Sequence, residues 1–176
     1  MIPQLAQERR RHDVPPARAQ RDGDGFRICR RAIARYTADM SDFSLDTRLE
    51  ADTIALGDLE LCSVRLMNDA RFPWLILIPQ RPDIIELDDL APEDAQQLTE
   101  EARIAVSVMR KVANPDKVNV ANLGNVVAQF HLHVIGRFLS DPAWPGPVWG
   151  HGERRAYPAH GVQPLIDRFT QAFAEA

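Results

Sequence analysis

Gln129-Phe130-His131-Leu132-His133-Val134-Ile135 alternates polar with apolar side chains until its last two residues. A period of two is that of a β-strand, whose successive side chains face opposite ways. Read as a strand, the stretch sets Gln129, His131 and His133 on one face, stepping roughly 7 Å at a time. Phe130, Leu132 and Val134 then point to the other face, into a core. Three hydrogen-bonding side chains on one face of an otherwise apolar strand require water or a ligand to cover that face.

Working outward, residues 117–123 and 130–138 both read as strands. Upstream, residues 92–113 form the clearest helix. Pro92 suits the first helical position, and Glu93 and Asp94 suit the positive end of the helix dipole. Ala95, Leu98, Ala102, Ala105, Met109 and Val112 recur at three- and four-residue steps and make one apolar stripe. Arg110 and Lys111 fall in the last turn, and Asn114-Pro115 ends the helix. The apolar run 74–78, closed by Pro79, has the length of a buried strand. Residues 52–56 and 59–67 flank Gly57-Asp58, a pair suited to a tight hairpin turn with positive φ.

Downstream, the Trp/Pro-rich residues 141–150 fit neither regular structure. Leu165, Ile166, Phe169 and Phe173 mark a short closing helix. Strands, helix, strands, helix is the order of an α+β domain with an antiparallel sheet.

Length and composition set the limits. The chain has 176 residues, enough for one domain with a sizeable core. Its 45% hydrophobic and 26% charged residues are ordinary for a globular protein. No apolar run approaches the roughly 18 residues of a membrane span. Residues 1–39 carry nine Arg and five acids, net +4, so the whole-chain charge of −4 leaves −8 on the remainder. An acidic body lacks the clustered Lys and Arg that displace counterions from nucleic acid. Cys29 and Cys62 have neither disulfide-framework nor zinc spacing. The start has no apolar secretory stretch, so a cytoplasmic location is expected. Pro15-Pro16 and Asp22-Gly23-Asp24-Gly25 break periodicity, and only residues 26–36 suit a short helix. We therefore expect a tail over 1–40, with Met40 as a plausible domain start, a compact domain over 41–143, and a Trp/Pro-rich segment with the C-terminal helix over 144–176.

Three readings of the histidine face remain open on spacing alone. It is an exposed face without function, a phosphoryl-transfer site, or a pair of metal ligands. For phosphoryl transfer, neutral imidazole is a nucleophile near pH 7, and a second His holds or supplies a proton. Gly124 and Asn125 stand before the strand, where glycine lets backbone N–H groups approach an anion. For metal, His-x-His is a common ligand pair. A cupin-type site wants a Glu a few residues on, however, and Arg137 and Phe138 stand there instead.

The segment resembles the signature of the histidine triad (HIT) superfamily, His-φ-His-φ-His-φ-φ with φ apolar. Six of the seven positions match, with Gln129 in place of the first His. The likeness extends over about residues 41–140. Arg65-Leu66-Met67-Asn68 before the strand 74–79 resembles the family's strand ending in Asn, and the helix 92–113 and the strand around Asn119–Asn122 follow in the family's order. The resemblance implies an antiparallel sheet of about five strands with one long helix and a shorter C-terminal helix, usually in a homodimer. It implies a nucleotide substrate with a substituted α-phosphate, a dinucleoside polyphosphate or a phosphoramidate. His131 would attack the α-phosphorus, His133 would hydrogen-bond the phosphate or the scissile oxygen, and Gln129 would complete the triad. Asn68 and Asn122 would contact ribose or phosphate, and Gly124 and Asn125 would line the phosphate pocket. No metal or cofactor is expected.

Two departures bear on function. Gln129 cannot titrate. Val126 stands where Hint-type branches carry a Ser that helps the leaving group, which favours hydrolysis of diadenosine-type anhydrides over phosphoramidates. Related uridylyltransferases have Gln at the third signature position, which here is His133, so a hydrolase is expected. A nucleotide-binding module without turnover is the alternative. Trp144 and Trp149 are expected to pack over a sheet edge or a dimer contact. Arg137, in step with residues 129, 131 and 133, is a better phosphate ligand than the solvated Arg71.

Overall fold

The computed structural model describes residues 42–158 and 160–176. The tail expected over 1–40, its helix at 26–36 and the start at Met40 lie outside them. The elements run α1 (Thr47–Asp52), β1 (Thr53–Asp58), β2 (Cys62–Met67), β3 (Trp74–Pro79), α2 (Pro92–Ala113), β4 (Lys117–Asn122), β5 (Leu132–Arg137) and α3 (Gln163–Ala174). The strands form one antiparallel sheet in the order β1-β2-β3-β5-β4. The expected α+β arrangement of five antiparallel strands, one long helix and a shorter C-terminal helix is the one the chain adopts. Because β5 inserts between β3 and β4, the histidine strand is central and both of its edges are paired.

α2 begins and ends where its residues dictate. Pro92 sits in the first turn, and Asn114 caps the end in the left-handed conformation at φ 48°. Its stripe of Leu98, Ala105, Val108, Met109 and Val112 packs on one face of the sheet with Leu66, Leu75, Leu77, Phe130 and Val134. Gly136 of β5 belongs to this contact, because a Cβ there would lie 2.9 Å from Pro73 and 3.0 Å from Met109. α3 adds Phe169 and Ala172 to the same core.

Apolar periodicity does not anticipate Glu101, which is buried on α2. Its carboxylate accepts the Leu61 and Cys62 backbone N–H groups at 2.7 and 2.9 Å and so fastens the start of β2 to the helix. Cys62 is buried and free.

The β1–β2 connection differs from the expected turn. Gly57 and Asp58 lie within β1, and the chain reverses over residues 59–61, where the Leu59 N–H donates to Cys62 O at 2.8 Å. Gly57 does take positive φ, at 146°, but at the register shift between Ala55 and Gly57. The glycine accommodates a bulge in the strand instead of the turn itself. α1 spans six residues, too short for an apolar period to show.

The opposite sheet face carries a second core of Leu49, Phe72, Trp74, Ile76, Ile78, Ile135, Ala143 and Val148. Phe43, Leu45, Met67, Val127 and Trp149 pack against it. This face also bears the histidines.

Candidate active site

His131 immediately precedes β5 and His133 lies within it, paired to Ile76 of β3 and Ala121 of β4. The alternation read from sequence holds from Phe130 onward. Phe130 and Val134 join the α2 core, while His133 and Ile135 face the other way among the second core's residues. The two imidazoles stand edge to face, with ring centroids 4.8 Å apart at 79°. They are nearly closed off, at 6% and 4% exposure, so each ring nitrogen's partner matters.

His131 Nδ1 lies 2.7 Å from the carbonyl oxygen of Gln129. A carbonyl only accepts, so Nδ1 carries a hydrogen, and in the neutral ring the lone pair is on Nε2. Asn122 Nδ2 donates to the backbone carbonyl of His131 at 2.9 Å and steadies the chain at the same residue. His133 Nδ1 accepts from Trp74 Nε1–H at 3.0 Å. Its ring also meets Trp74 edge-on at 5.4 Å and Trp149 at 5.2 Å.

Burial first, and then the neighbouring His131, push the His133 pKa down to about 3 from an ordinary 6.5. The stability consequence follows from linkage. An unfolded imidazole gains a proton below pH 6.5 and the folded one does not, so this contribution is complete above 6.5 and declines as pH falls toward 3. Between pH 7 and 5 the loss amounts to about 2 kcal/mol. Urea midpoints at the two pH values should therefore fall further for the native chain than for His133→Asn. An equal fall in both would contradict the assignment. The shifted carboxyls of Asp69 and Asp141 are held below their ordinary 3.8 and act at lower pH.

The Gln129 side chain is taken up by main-chain groups of residues 44 and 46. The residue precedes β5, and its side chain turns toward the segment ahead of α1. Oε1 accepts the Asp46 N–H at 2.9 Å and Nε2 donates to Ser44 O at 2.8 Å. A primary amide presents a donor and an acceptor side by side, as a backbone peptide does, so Gln129 pairs with residues 44–46 in the manner of a neighbouring strand. Arg48 Nη1 reinforces the contact by donating to Val126 O at 3.1 Å. What Gln129 offers His131 is its backbone carbonyl. We expect Gln129→Ala to lower stability by about 1–2 kcal/mol in a urea titration while keeping the Gln129 carbonyl contact that any residue at this position supplies. A loss of activity matching that of a nucleophile variant would show that the side chain does more.

The residues expected to bind nucleotide are placed unevenly. Asn122 touches the His131 backbone, and Gly124 and Asn125 lie in the loop that follows it. A Cβ on Gly124 would meet only the Val127 carbonyl, at 3.7 Å, an ordinary contact. Asn68 follows the last residue of β2, three residues beyond Arg65 and roughly 10 Å from the rung that Arg65, Ile76 and His133 share. Its Oδ1 accepts the Tyr157 N–H at 2.9 Å, which ties down the segment before α3.

Arg137 has a different role from the expected phosphate ligand. It is 2% exposed and every one of its nitrogens is engaged, with Nε and Nη2 on the Asp141 carboxylate at 2.7 and 3.0 Å, Nη1 on Asn119 at 2.9 Å and Nη2 on Gly146 O at 2.9 Å. Trp144 covers its guanidinium. Arg71 is paired to Asp69 at 2.6 Å. Trp74, read from sequence as one more residue of an apolar strand, proves to be a polar partner of the site. Alternation offered a signal, since Trp74 shares a face with Ile76, whose rung partner is His133.

Among the described residues, no group of three or more His, Cys, Asp or Glu is placed to hold a metal ion. No helix among them is long and apolar enough to cross a membrane.

The sheet order, the buried histidine pair and the carbonyl-held Nδ1 define a histidine triad type of domain. The HIT domain family profile matches residues 48–139. A histidine triad protein from Sinorhizobium meliloti superposes with a TM-score of 0.74 at 46% identity, over 76% of this chain and 98% of that one. One from Bradyrhizobium japonicum gives 0.73 at 41%, over 74% and 98%. One from Marinobacter aquaeolei gives 0.73 at 41%, over 76% and 97%. No curated protein sequence matches the chain. The chain belongs to the HIT domain family.

Proposed function

We propose that this protein is a nucleotide hydrolase acting at the α-phosphate of a dinucleoside polyphosphate or related nucleotide, through a nucleotidyl intermediate on His131. The observation that carries the reading is the His131 tautomer. The Gln129 carbonyl holds Nδ1–H at 2.7 Å and leaves the Nε2 lone pair available to attack. Nε2 bonds to the α-phosphorus while the P–O bond to the leaving group breaks, and that bond's electron pair departs on oxygen. Nδ1 keeps its hydrogen, so the cationic ring of the intermediate points that hydrogen at a carbonyl acceptor. Water then bonds to phosphorus, the N–P bond breaks, the mononucleotide leaves, and one water proton passes to solvent.

His133 hydrogen-bonds the phosphate oxygens or the scissile oxygen. Gly124 and Asn125 line the phosphate pocket. Asn122 acts through the His131 backbone, and Asn68 reaches the ribose. The His131 ring is the catalytic group at the triad's centre, and Gln129 serves it through the main chain.

Incubating the protein with diadenosine tetraphosphate, following AMP release and trapping a nucleotidyl-protein adduct by rapid quench tests the reading. AMP binding in calorimetry with no turnover would sink it in favour of a nucleotide-binding module, which the missing first His and Val126 favour. Stoichiometric zinc, iron or manganese in the purified protein would instead favour a metal site on His131 and His133. Among the described strands, β4 is an edge bonded only to β5, and its Val120 is 46% exposed. An uncovered edge is an aggregation hazard, and a homodimer through β4 would cover this one; the mass from light scattering on the purified chain tests whether it dimerises.

A further inference from the structure

We propose that Trp74 is a positioning residue that fixes His133 as a hydrogen-bond donor with no proton to surrender, so that the site turns over nucleoside 5′-phosphates whose leaving group departs as an anion. The inference rests on the hydrolase reading and narrows its substrate class to mixed anhydrides of a nucleotide with another acid.

The indole nitrogen of Trp74 donates and cannot accept. Its 3.0 Å contact with His133 Nδ1 therefore places the lone pair of His133 on Nδ1 and its one hydrogen on Nε2. Protonating the ring would add a hydrogen at Nδ1, where the indole N–H already points. The two donors would face each other inside a site where His133 is 4% exposed and Trp74 is 6% exposed. The other rings against His133 are His131 at 4.8 Å and Trp149 at 5.2 Å. Once His131 carries the nucleotidyl group its ring is a cation, and a second cation at that distance is opposed further. His133 Nε2–H thus stabilises negative charge on an oxygen while its proton stays on the ring.

Neighbouring positions do not replace the missing acid. The Gln129 amide cannot titrate and is bonded to Ser44 and Asp46. Val126 has no hydroxyl. Arg71 and Arg137 are held by Asp69 and Asp141. A leaving phosphate, sulfate or carboxylate takes the electrons of the broken P–O bond and departs as an anion. A leaving amine must acquire a proton as the P–N bond breaks, and these residues supply none.

The native protein should be compared at pH 7 on diadenosine tetraphosphate and on adenosine 5′-phosphoramidate, which share the adenylyl group and differ in what leaves. General acid catalysis contributes roughly 10²–10⁴-fold where it operates, so kcat/KM for the phosphoramidate should be at least about a hundredfold lower. ¹⁵N spectra of the native protein should show His133 with bare Nδ1 and protonated Nε2, unchanged between pH 8 and 5. In Trp74→Phe, which keeps a ring and loses the donor, His133 should become a mixture of tautomers that titrates. Its kcat on the anhydride should fall with a smaller change in KM, and the preference between the two substrates should shrink. Equal rates on the two substrates, or a native His133 with hydrogen on Nδ1, would overturn the inference and leave the hydrolase reading standing. Failure to turn over either substrate would sink both.

Discussion

If His131 is the nucleophile, His131→Ala should lower AMP release from diadenosine tetraphosphate by roughly 10⁴-fold or more, the order seen when a covalent nucleophile is removed. The expectation follows from the ring's surroundings. His131 is held from both sides of its own residue, with Nδ1 on the Gln129 carbonyl at 2.7 Å and its carbonyl on Asn122 at 2.9 Å. A ring so oriented would have little freedom left to lose at the transition state if it attacks. His133 cannot take over the attack, because its Nδ1 is occupied by Trp74. The quenched adduct should vanish together with the turnover, while AMP affinity should stay within about tenfold, since binding and bond formation draw on different contacts. Retained adduct in the variant would move the nucleophile elsewhere.

The largest effect on stability is expected from Arg137→Met, which should cost about 3–5 kcal/mol. Asp141 would be left as a carboxylate with side-chain exposure of 4%, stripped of both guanidinium hydrogen bonds. Asn119 and the Gly146 carbonyl would lose their partner as well. Arg137→Met combined with Asp141→Leu should recover part of the loss, because an apolar pair of similar volume removes the stranded charge. Urea denaturation of the two variants measures this. If Arg137 bound substrate phosphate instead, the single variant would raise KM and leave the urea midpoint in place.

Side-chain periodicity carried much of the fold. α2 follows from its 3.6-residue stripe with Pro92 and Asn114 at the ends, and β3 from five consecutive apolar residues. The polar-apolar alternation after Gln129 separates two cores, one under α2 and one around Trp74. Periodicity fails where a side chain acts as backbone or as a charge. Gln129 sits in phase with the histidines, yet its amide pairs with Ser44 and Asp46, more than eighty residues away in the chain. Glu101 looks like a solvated helix residue until its two backbone partners are seen. Arg137 keeps phase with His131 and His133, but Asp141 and Gly146 come from a Trp/Pro segment that no pattern places in space. Gly57 announced positive φ correctly, and only the strand register reveals that it serves a bulge. In the site, the histidine pair was legible as a polar face. The tautomers were not, because each depends on a partner fixed by tertiary structure.

The indole packing around His133 also gives the protein an optical reporter of its own. Of the three tryptophans, Trp74 and Trp149 lie against the His133 ring and against each other at 5.8 Å, and Trp144 lies over Arg137. Indole emission responds to the polarity and charge beside the ring. Occupation of the histidine pair by a phosphate should therefore register in the native fluorescence of two residues at once, and a Trp144→Phe background would remove the third without touching either imidazole.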